Sequence, residues 1–167
     1  MQLKNKIISL LTLTSVGTLG GAIALPHLFA AFSCGGPPPK SEAQVYVGTI
    51  VQGQENYFTE KNAFANSIDE LNIGLENQTQ SYQYSTRSTS SSAFSYGVAR
   101  KDKLKSYVGA VFVVPANHAG KATKGQATTV TILCEANSPG KISPSEPTYQ
   151  NGVASCGTNT TASERYY

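Results

Sequence analysis

Cysteine, histidine and neighbouring carboxylate side chains are the groups of this 167-residue chain that could do chemistry. They are Cys34, Cys134, Cys156, His27, His118 and the adjacent pair Asp69 and Glu70. The cysteines form no CxxC pair, and the histidines lack the spacing of a zinc site. The sequence also lacks a GxSxG elbow, a glycine-rich phosphate loop and an HExxH motif. It therefore predicts no metal, no cofactor, no catalytic residue and no small-molecule substrate.

Asp69 and Glu70 are explained by helix capping rather than by acid–base catalysis. Ser67 stands three residues before Glu70, which is the spacing of a capping box. Side chains of adjacent helical residues diverge, whereas negative charge in the first turn of a helix is favourable. We expect a short helix to begin here and to end at Asn72 and Gly74.

The composition is typical of an exported protein. Charged residues make up only 14% of the chain, the net charge is +3, and uncharged polar residues supply most of the polar side chains. The lysines and arginines are scattered and form no basic stripe of the kind that follows a nucleic-acid backbone. The sequence therefore predicts an extracytoplasmic protein without a nucleic-acid partner.

Residues 1–34 form a candidate membrane anchor. Lys4 and Lys6 precede a run from 7 to 33 that contains no Asp, Glu, Lys or Arg. A helix of about 20 residues crosses a bilayer core, whereas the apolar run of a cleaved signal peptide has only about 7–15 residues. The length favours a retained anchor, and the two lysines predict a cytoplasmic N-terminus. A cleaved leader is the alternative, because small and hydroxyl-bearing residues dilute the run.

Cys34 suggests a third possibility for the same segment. It follows Ala31, Phe32 and Ser33, which partly matches the small-residue pattern that precedes the lipidated cysteine of a bacterial lipoprotein. Cys34 is thus a candidate for lipidation after cleavage. A retained helix and a lipid would both leave the following domain attached to the membrane.

A spacer at 35–40 separates this segment from a predicted soluble domain at 41–167. The spacer contains three consecutive prolines at 37–39, which cannot remain helical. From Ser41 onward, buried-type residues recur at three- and four-residue steps, which predicts an amphipathic helix of about five turns packed on a core. The stripe comprises Ala43, Val47, Ile50, Val51, Gln54, Tyr57 and Phe58.

Alternating patterns after residue 78 predict an antiparallel sheet. Side chains that alternate with period two indicate strands, and a serine-rich run at 86–92 indicates a loop. The predicted strands cover residues 79–85, 94–99, 104–114 and 128–134. A helix followed by consecutive strands with short connections predicts an α+β fold, with the helix packed on a three- to four-stranded antiparallel sheet.

The segment after Cys134 has no clear periodic run and contains the turn signals Pro139-Gly140 and Asn151-Gly152. Such a segment buries little apolar area and needs a covalent link. A disulfide between Cys134 and Cys156 could supply it, closing a loop of about 20 residues for about 3 kcal/mol. An extracytoplasmic compartment permits that bond. Cys34 is a less suitable partner because it belongs to the N-terminal segment.

Four stretches, taken in order, resemble the type IV pilin-like G/H family that is widespread in cyanobacteria. They are AIALP at 22–26, SEA at 41–43 with YVG at 46–48, SIDEL at 67–71 with IG at 73–74, and LCEANSPG at 133–140. Together they span most of the chain between residues 22 and 156. The resemblance implies Cys156 as the partner of Cys134.

The resemblance also implies a fold and a role. Proteins of this kind have an N-terminal apolar helix that passes from the membrane into a pilin-like headgroup with a C-terminal disulfide loop. They are pilins, minor pilins or pseudopilins, so the implied function is a non-enzymatic structural subunit of a type IV pilus or secretion-type assembly. The implied partners are the membrane and other pilin-like subunits.

The N-terminal segment departs from the pilin pattern. Pilins carry a glutamate at the fifth mature residue, where it neutralises a neighbouring subunit's N-terminal amine, and Ser9 stands near that position here. An unpaired charge in an apolar bundle is costly, so this pairing matters for polymerisation. The departure leaves a second hypothesis open, a stand-alone envelope lipoprotein or binding module that uses a pilin-like headgroup.

Overall fold

A computed structural model of the chain describes residues 41–115 and 127–163. This part contains helix α1 (Glu42–Lys61), a one-turn 3-10 helix (Asp69–Leu71) and seven strands. The strands are β1 (Tyr82–Ser88), β2 (Ser92–Ala99), β3 (Tyr107–Pro115), β4 (Ala127–Ala136), β5 (Thr148–Gln150), β6 (Val153–Ser155) and β7 (Thr160–Ala162). The predicted anchor at 1–34 and the spacer at 35–40 lie outside the described residues, as does His118.

The main sheet has five antiparallel strands in the order β1-β2-β3-β4-β7, and β5 and β6 form a separate hairpin. Helix α1 packs on this sheet, so the predicted α+β class is confirmed. The predicted strand number of three to four is wrong, because β7 adds a fifth strand. β7 has only three residues, two of them threonines, and is recognisable only from its pairing with residues 134–136.

The predicted amphipathic helix is confirmed as α1. Ser41 caps it, with its hydroxyl accepting a hydrogen bond from the Gln44 N–H at 3.1 Å. Asn62 ends it in the left-handed conformation. Tyr57 is only half-buried, whereas the other predicted stripe residues are buried together with Gly53. The helix therefore buries one side and leaves the opposite side exposed.

The capping sequence at 67–70 forms the predicted short helix, reduced to one 3-10 turn. The Ser67 hydroxyl accepts a hydrogen bond from the Glu70 N–H at 3.3 Å, and the Glu70 carboxylate accepts one from the Asn66 N–H at 3.1 Å. The first of these bonds is that of a capping box, whereas the carboxylate binds the N–H one residue earlier than in the standard motif. Asn72, at φ 50°, ends the turn in the left-handed region.

The sequence predicts a loop over the serine-rich run at 86–92, and the structure shows that this loop is shorter, covering only 89–91. β1 continues to Ser88 and β2 begins at Ser92, so only three residues turn between them. The Thr89 hydroxyl accepts hydrogen bonds from the N–H groups of Ser91 and Ser92, at 3.2 and 3.0 Å. This side chain satisfies the turn backbone locally, so the polar run forms a tight hairpin instead of a longer loop.

Helix α1 lies close to the central strands β2 and β3 at positions where these strands carry glycine. A Cβ at Gly109 on β3 would lie 2.3 Å from Val51 Cγ2, and one at Gly97 on β2 would lie 2.9 Å from Val47 Cγ2. Real Cβ atoms do not approach carbon so closely. The two glycines therefore determine how near the helix lies to the sheet.

Gln54 is the fully buried polar side chain of α1. Its amide accepts a hydrogen bond from the Ala65 N–H and donates one to the Ala65 carbonyl, both at 2.9 Å. It also donates to the Thr86 hydroxyl at 3.1 Å. One side chain thus joins the helix, the loop that follows it and strand β1.

A disulfide joins Cys134 on β4 to Cys156, which follows β6. The two Cα atoms lie 5.8 Å apart, and 22 positions of sequence separate them. The bond connects the main sheet to the hairpin segment. It is the pairing that the sequence suggested.

No helix within 41–115 and 127–163 is sufficiently long and apolar to cross a bilayer. The candidate anchor lies outside these residues.

We expect Gly109→Ala to lower the free energy of unfolding by about 2 kcal/mol, because the new methyl group overpacks against Val51. The matched control is Gly48→Ala on α1, where no described atom lies within 4 Å of the added methyl. Helix propensity should make that control about 0.5–1 kcal/mol more stable. Urea unfolding of the full chain in detergent, followed by circular dichroism, measures both. Equal stability of the two variants would contradict the close helix–sheet contact.

We expect Cys134→Ser to lower the melting temperature under oxidising conditions by about 10 °C, since the chain-entropy contribution of such a loop is about 3 kcal/mol. Cys34→Ser is the control, because it removes a thiol and leaves the disulfide intact. Reductant should lower the melting temperature of the wild type and of Cys34→Ser, and have little effect on Cys134→Ser. An unchanged melting temperature for Cys134→Ser would show that the bond does not stabilise the segment.

Candidate functional site in the C-terminal segment

The residues singled out for chemistry do not assemble into a reactive centre in the described part of the chain. Asp69 and Glu70 are exposed and lie at the capped 3-10 turn. Cys134 and Cys156 form a disulfide and therefore have no free thiol. No group of three or more His, Cys, Asp or Glu within 41–115 and 127–163 could hold a metal ion. Cys34 lies outside the described residues.

The β5–β6 hairpin covers the face of the main sheet opposite to α1. Its Tyr149 stacks on Phe112 of β3, with ring centroids 5.8 Å apart, and Phe112 meets Phe94 of β2 edge to face. Asn151 and Gly152 form the hairpin turn at φ 51° and 84°. Positive φ at both central residues is what a two-residue hairpin turn requires. The sheet is thus packed on both faces.

Glu146, just before β5, ties the hairpin segment to the outer face of the sheet. Arg87 on β1 donates from Nε to Glu146 Oε1 at 2.8 Å, and its second nitrogen pairs with the other carboxylate oxygen. The Tyr96 hydroxyl also donates to Glu146. The Arg87 guanidinium lies over the Phe94 ring, 4.6 Å from its centroid.

The charges of this cluster shift the titration of its members. Partial burial acts to raise the pKa of Glu146, but the hydrogen bonds from Arg87 and Tyr96 outweigh it, so the pKa lies below its usual value. Burial and the hydrogen bond to Glu146 raise the pKa of Tyr96 to about 12. At neutral pH, Glu146 therefore stays ionised and Tyr96 stays protonated. We call the contacts of Arg87 and Tyr96 with Glu146 the Glu146 clasp, because they hold the segment before β5 to the sheet.

A cleft of about 360 Å³ lies between the segment that follows β4 and the turn before β7. Its lining carries hydroxyl, amide and backbone groups together with prolines and one isoleucine. The lining residues are Ala136, Asn137, Ser138, Pro139, Gly140, Ile142, Ser143, Pro144, Ser145, Thr158, Asn159 and Thr160. Ile142 is 75% exposed at this cleft.

Backbone hydrogen bonds hold the walls of the cleft. The Asn137 N–H donates to the Asn159 carbonyl at 2.9 Å, which joins the two walls. The Gly140 N–H donates to the Leu104 carbonyl at 2.9 Å. The Thr161 hydroxyl donates to Asn137 Oδ1 at 2.6 Å. The cleft is thus a preformed feature of the disulfide-linked segment.

The cleft can bind by hydrogen bonding and apolar contact. None of its lining residues carries a carboxylate, an amine, an imidazole or a thiol, so the lining offers no general acid or base. An ion pair between Lys105 Nζ and Glu135 Oε1, at 2.7 Å, borders a neighbouring groove. The hydrogen bond to Glu135 raises the pKa of that lysine.

Sequence reasoning missed the β5–β6 hairpin and the cleft beside it. Asn151-Gly152 is a turn signal, but the three-residue runs on either side of it are too short to show alternation. A two-residue Asn-Gly turn between Thr148–Gln150 and Val153–Ser155 is nevertheless the strongest local signal of a hairpin.

The sequence profile of the type IV pilin-like G and H family matches residues 40–157. This range includes α1, the strands from β1 to β6 and both cysteines of the disulfide. Searches of curated proteins and of solved structures returned no match. The match extends over more than half of the 167 residues. This match, which covers the helix packed on the antiparallel sheet and the disulfide-linked C-terminal segment, shows that the chain belongs to the type IV pilin-like G and H family.

Proposed function

We propose that this protein is a non-enzymatic, membrane-anchored structural subunit, a minor pilin or pseudopilin of a type IV pilus or secretion-type assembly. The observation that carries the proposal is the family match over residues 40–157, which begins at the N-terminal end of α1. The uncharged run at 7–33 precedes this helix in the sequence.

The two sides of α1 support a role in assembly. One side packs on the sheet, and the other presents Val45, Gln52 and Asn56 to solvent. These three residues share one stripe, since their spacings of seven and four return to the same side of a helix. Val45 is 46% exposed and supplies an apolar contact point in a polar stripe. Such a surface suits packing against a neighbouring subunit.

The proposed topology places the N-terminus in the cytoplasm and the headgroup in the periplasm or outside the cell. Lys4 and Lys6 ahead of the uncharged run support this orientation by the positive-inside rule. The disulfide between Cys134 and Cys156 supports an oxidising compartment for the headgroup. The partners are then the membrane and other pilin-like subunits.

A structural role also agrees with the engagement of charged side chains in the headgroup. Arg87 pairs with Glu146 and Lys105 with Glu135, in each case joining two segments of the chain. Glu42 accepts hydrogen bonds from Thr79 and Tyr84. These contacts connect structural elements of the headgroup.

The second candidate is a stand-alone envelope lipoprotein or binding module. The uncharged cleft favours it, because hydroxyl and amide groups beside prolines suit a neutral ligand. Cys34, followed by the spacer at 35–40, would be the lipidated residue.

Mass spectrometry of the mature N-terminus, on protein purified from membranes, distinguishes the two candidates. We expect an intact start at Met1, because the run at 7–33 exceeds the usual length of a cleaved leader. An intact start means a retained signal anchor, whereas a methylated start within the leader means a processed pilin. An acylated Cys34 would instead establish the lipoprotein. Cys34→Ser is the control: if the anchor is retained, this variant should start at the same residue as the wild type.

Sheared surface filaments test the assembly role separately. We expect the protein in the filament fraction at substoichiometric amounts, as for a minor subunit, and Val45→Lys should reduce this recovery because it places a charge in the exposed stripe. Gln52→Lys is the matched control, since it adds the same charge at a position that is already polar. Absence of the wild-type protein from filaments and from a purified secretion assembly would contradict the proposal.

A further inference from the structure

The positive charges of the described headgroup are concentrated at one place. Residues 41–115 and 127–163 contain seven lysines and arginines, and five of them lie in or beside the turn between β2 and β3. Lys141 belongs to this group because its amine pairs with Asp102 of the turn at 3.3 Å. We call the five residues the basic cluster. They are Arg100, Lys101, Lys103, Lys105 and Lys141.

Hydrogen bonds fix the shape of the turn that carries the basic cluster. The Leu104 N–H donates to the Lys101 carbonyl at 3.1 Å, and the Gly140 N–H donates to the Leu104 carbonyl at 2.9 Å. The buried Ser106 hydroxyl accepts from the Ala99 N–H at 3.0 Å, where β2 ends. The fold thus holds these like charges together although they repel one another.

The carboxylates of the turn offset only part of this positive charge. Asp102 pairs with Lys141, and Glu135 pairs with Lys105. The remaining cations are exposed. Arg100 donates to the Thr79 carbonyl at 2.6 Å and Lys101 donates to the Ser81 hydroxyl at 3.3 Å, and neither acceptor carries a charge. The basic cluster therefore keeps a net positive charge that faces solvent.

The basic cluster lies at the end of the headgroup where α1 begins. Glu42, in the first turn of α1, accepts a hydrogen bond from the Thr79 hydroxyl at 2.5 Å. Arg100 binds the carbonyl of the same threonine. Thr79 thus joins the first turn of α1 to the basic cluster. The Glu42 carboxylate offsets one more positive charge, so five cations face three carboxylates at this end.

The opposite end of α1 has the opposite balance of charge. The last turn of α1 carries Glu60 and Lys61, and the 3-10 turn that follows adds the exposed carboxylates of Asp69 and Glu70. Ser88, the last residue of β1, donates to the loop between these two turns at 2.7 Å. The acidic residues therefore lie toward the far end of the sheet, and the headgroup is electrically polar along α1.

We propose that the basic cluster binds anionic lipids at the membrane surface and so orients the headgroup on the bilayer. The inference rests on the proposed membrane anchor. The uncharged run at 7–33 precedes α1, so the cluster lies at the end of the headgroup that is nearest to this run in sequence. The chain between Ser33 and Ser41 spans at most about 30 Å when fully extended. Such a tether gives the cluster a high effective concentration at the surface.

The same electrostatics sets the direction of the headgroup. An anionic bilayer attracts lysine and arginine within a Debye length of its surface, which is about 10 Å at 0.1 M salt. It repels carboxylates such as those of Glu60, Asp69 and Glu70. Attraction at one end and repulsion at the other turn the last turn of α1 away from the membrane. The exposed stripe of α1 would then face neighbouring subunits beside it.

Amine footprinting of the full chain in lipid nanodiscs tests the proposal. Discs of phosphatidylcholine alone are compared with discs of equal parts phosphatidylcholine and phosphatidylglycerol, and mass spectrometry gives the acylation rate of each lysine. At 0.1 M salt we expect Lys101, Lys103 and Lys105 to react at least about threefold more slowly in the anionic discs. This difference should disappear at 1 M salt, where the Debye length is about 3 Å. Lys61 should react equally fast in both discs.

Two matched variants separate the basic cluster from charge in general. Lys103→Gln and Lys61→Gln each remove one exposed positive charge, from opposite ends of the headgroup. Lys103→Gln should largely restore the rates of Lys101 and Lys105 in anionic discs, because each cation near the surface contributes about fivefold to binding. Lys61→Gln should leave the slow rates unchanged. Rates equal to those of the wild type in neutral discs show that both variants are folded.

Recovery of the protein with the discs distinguishes failure of this inference from failure of the proposed anchor. Recovery with both discs but equal acylation would overturn the lipid contact and leave the anchor intact. Recovery with anionic discs alone would support the contact and contradict the anchor, and recovery with neither would contradict both. Acylation of the cluster that slows in detergent as protein concentration rises would overturn the proposal in favour of contact with a second copy.

Discussion

The close approach of α1 to the two central strands is the contact on which the rest of the structure depends. Val47 and Val51 occupy the space where Gly97 and Gly109 lack side chains. A bulkier residue at either glycine would raise the helix off the sheet and separate the apolar side chains around it. Interiors pack at crystal-like density, so such a gap loses contact energy along the whole stripe.

Because α1 lies so close to the sheet, it carries a buried side-chain amide, that of Gln54. At the position of Gln54 the helix lies between β1 and the loop at 62–66, and that loop turns back with buried backbone groups at Ala65. Those groups are inaccessible to water, and leaving them unpaired would cost about 1–3 kcal/mol each. A glutamine satisfies both and also reaches Thr86. The polar residue within the apolar stripe is therefore a consequence of helix proximity.

Much of this architecture was readable from sequence, because α1 and the longer strands carry their own periodic signals. The stripe from Ala43 to Phe58 predicts the helix, and alternation predicts β1 and β2. The runs at 104–114 and 128–134 predict β3 and β4. The length of the serine-rich turn is wrongly predicted, because a polar composition only correlates with loops. The tight turn depends on the hydrogen bonds that the Thr89 hydroxyl accepts, and composition does not reveal them. The cleft could not be foreseen, since its two walls are distant in sequence and neither has a periodic pattern.

The two faces of the sheet are stabilised in different ways, and this difference bears on function. The helix face is held by buried apolar volume, which requires every residue of the stripe. The hairpin face is held at a few points, chiefly the Cys134–Cys156 bond, the Glu146 clasp and the Tyr149–Phe112 stack. Most residues between such points, including most of those around the cleft, face solvent and are under weak packing constraint, although Pro144 and Pro147 are buried. A headgroup built this way can change its outer surface while the α1 side, where neighbouring subunits are proposed to pack, keeps one geometry.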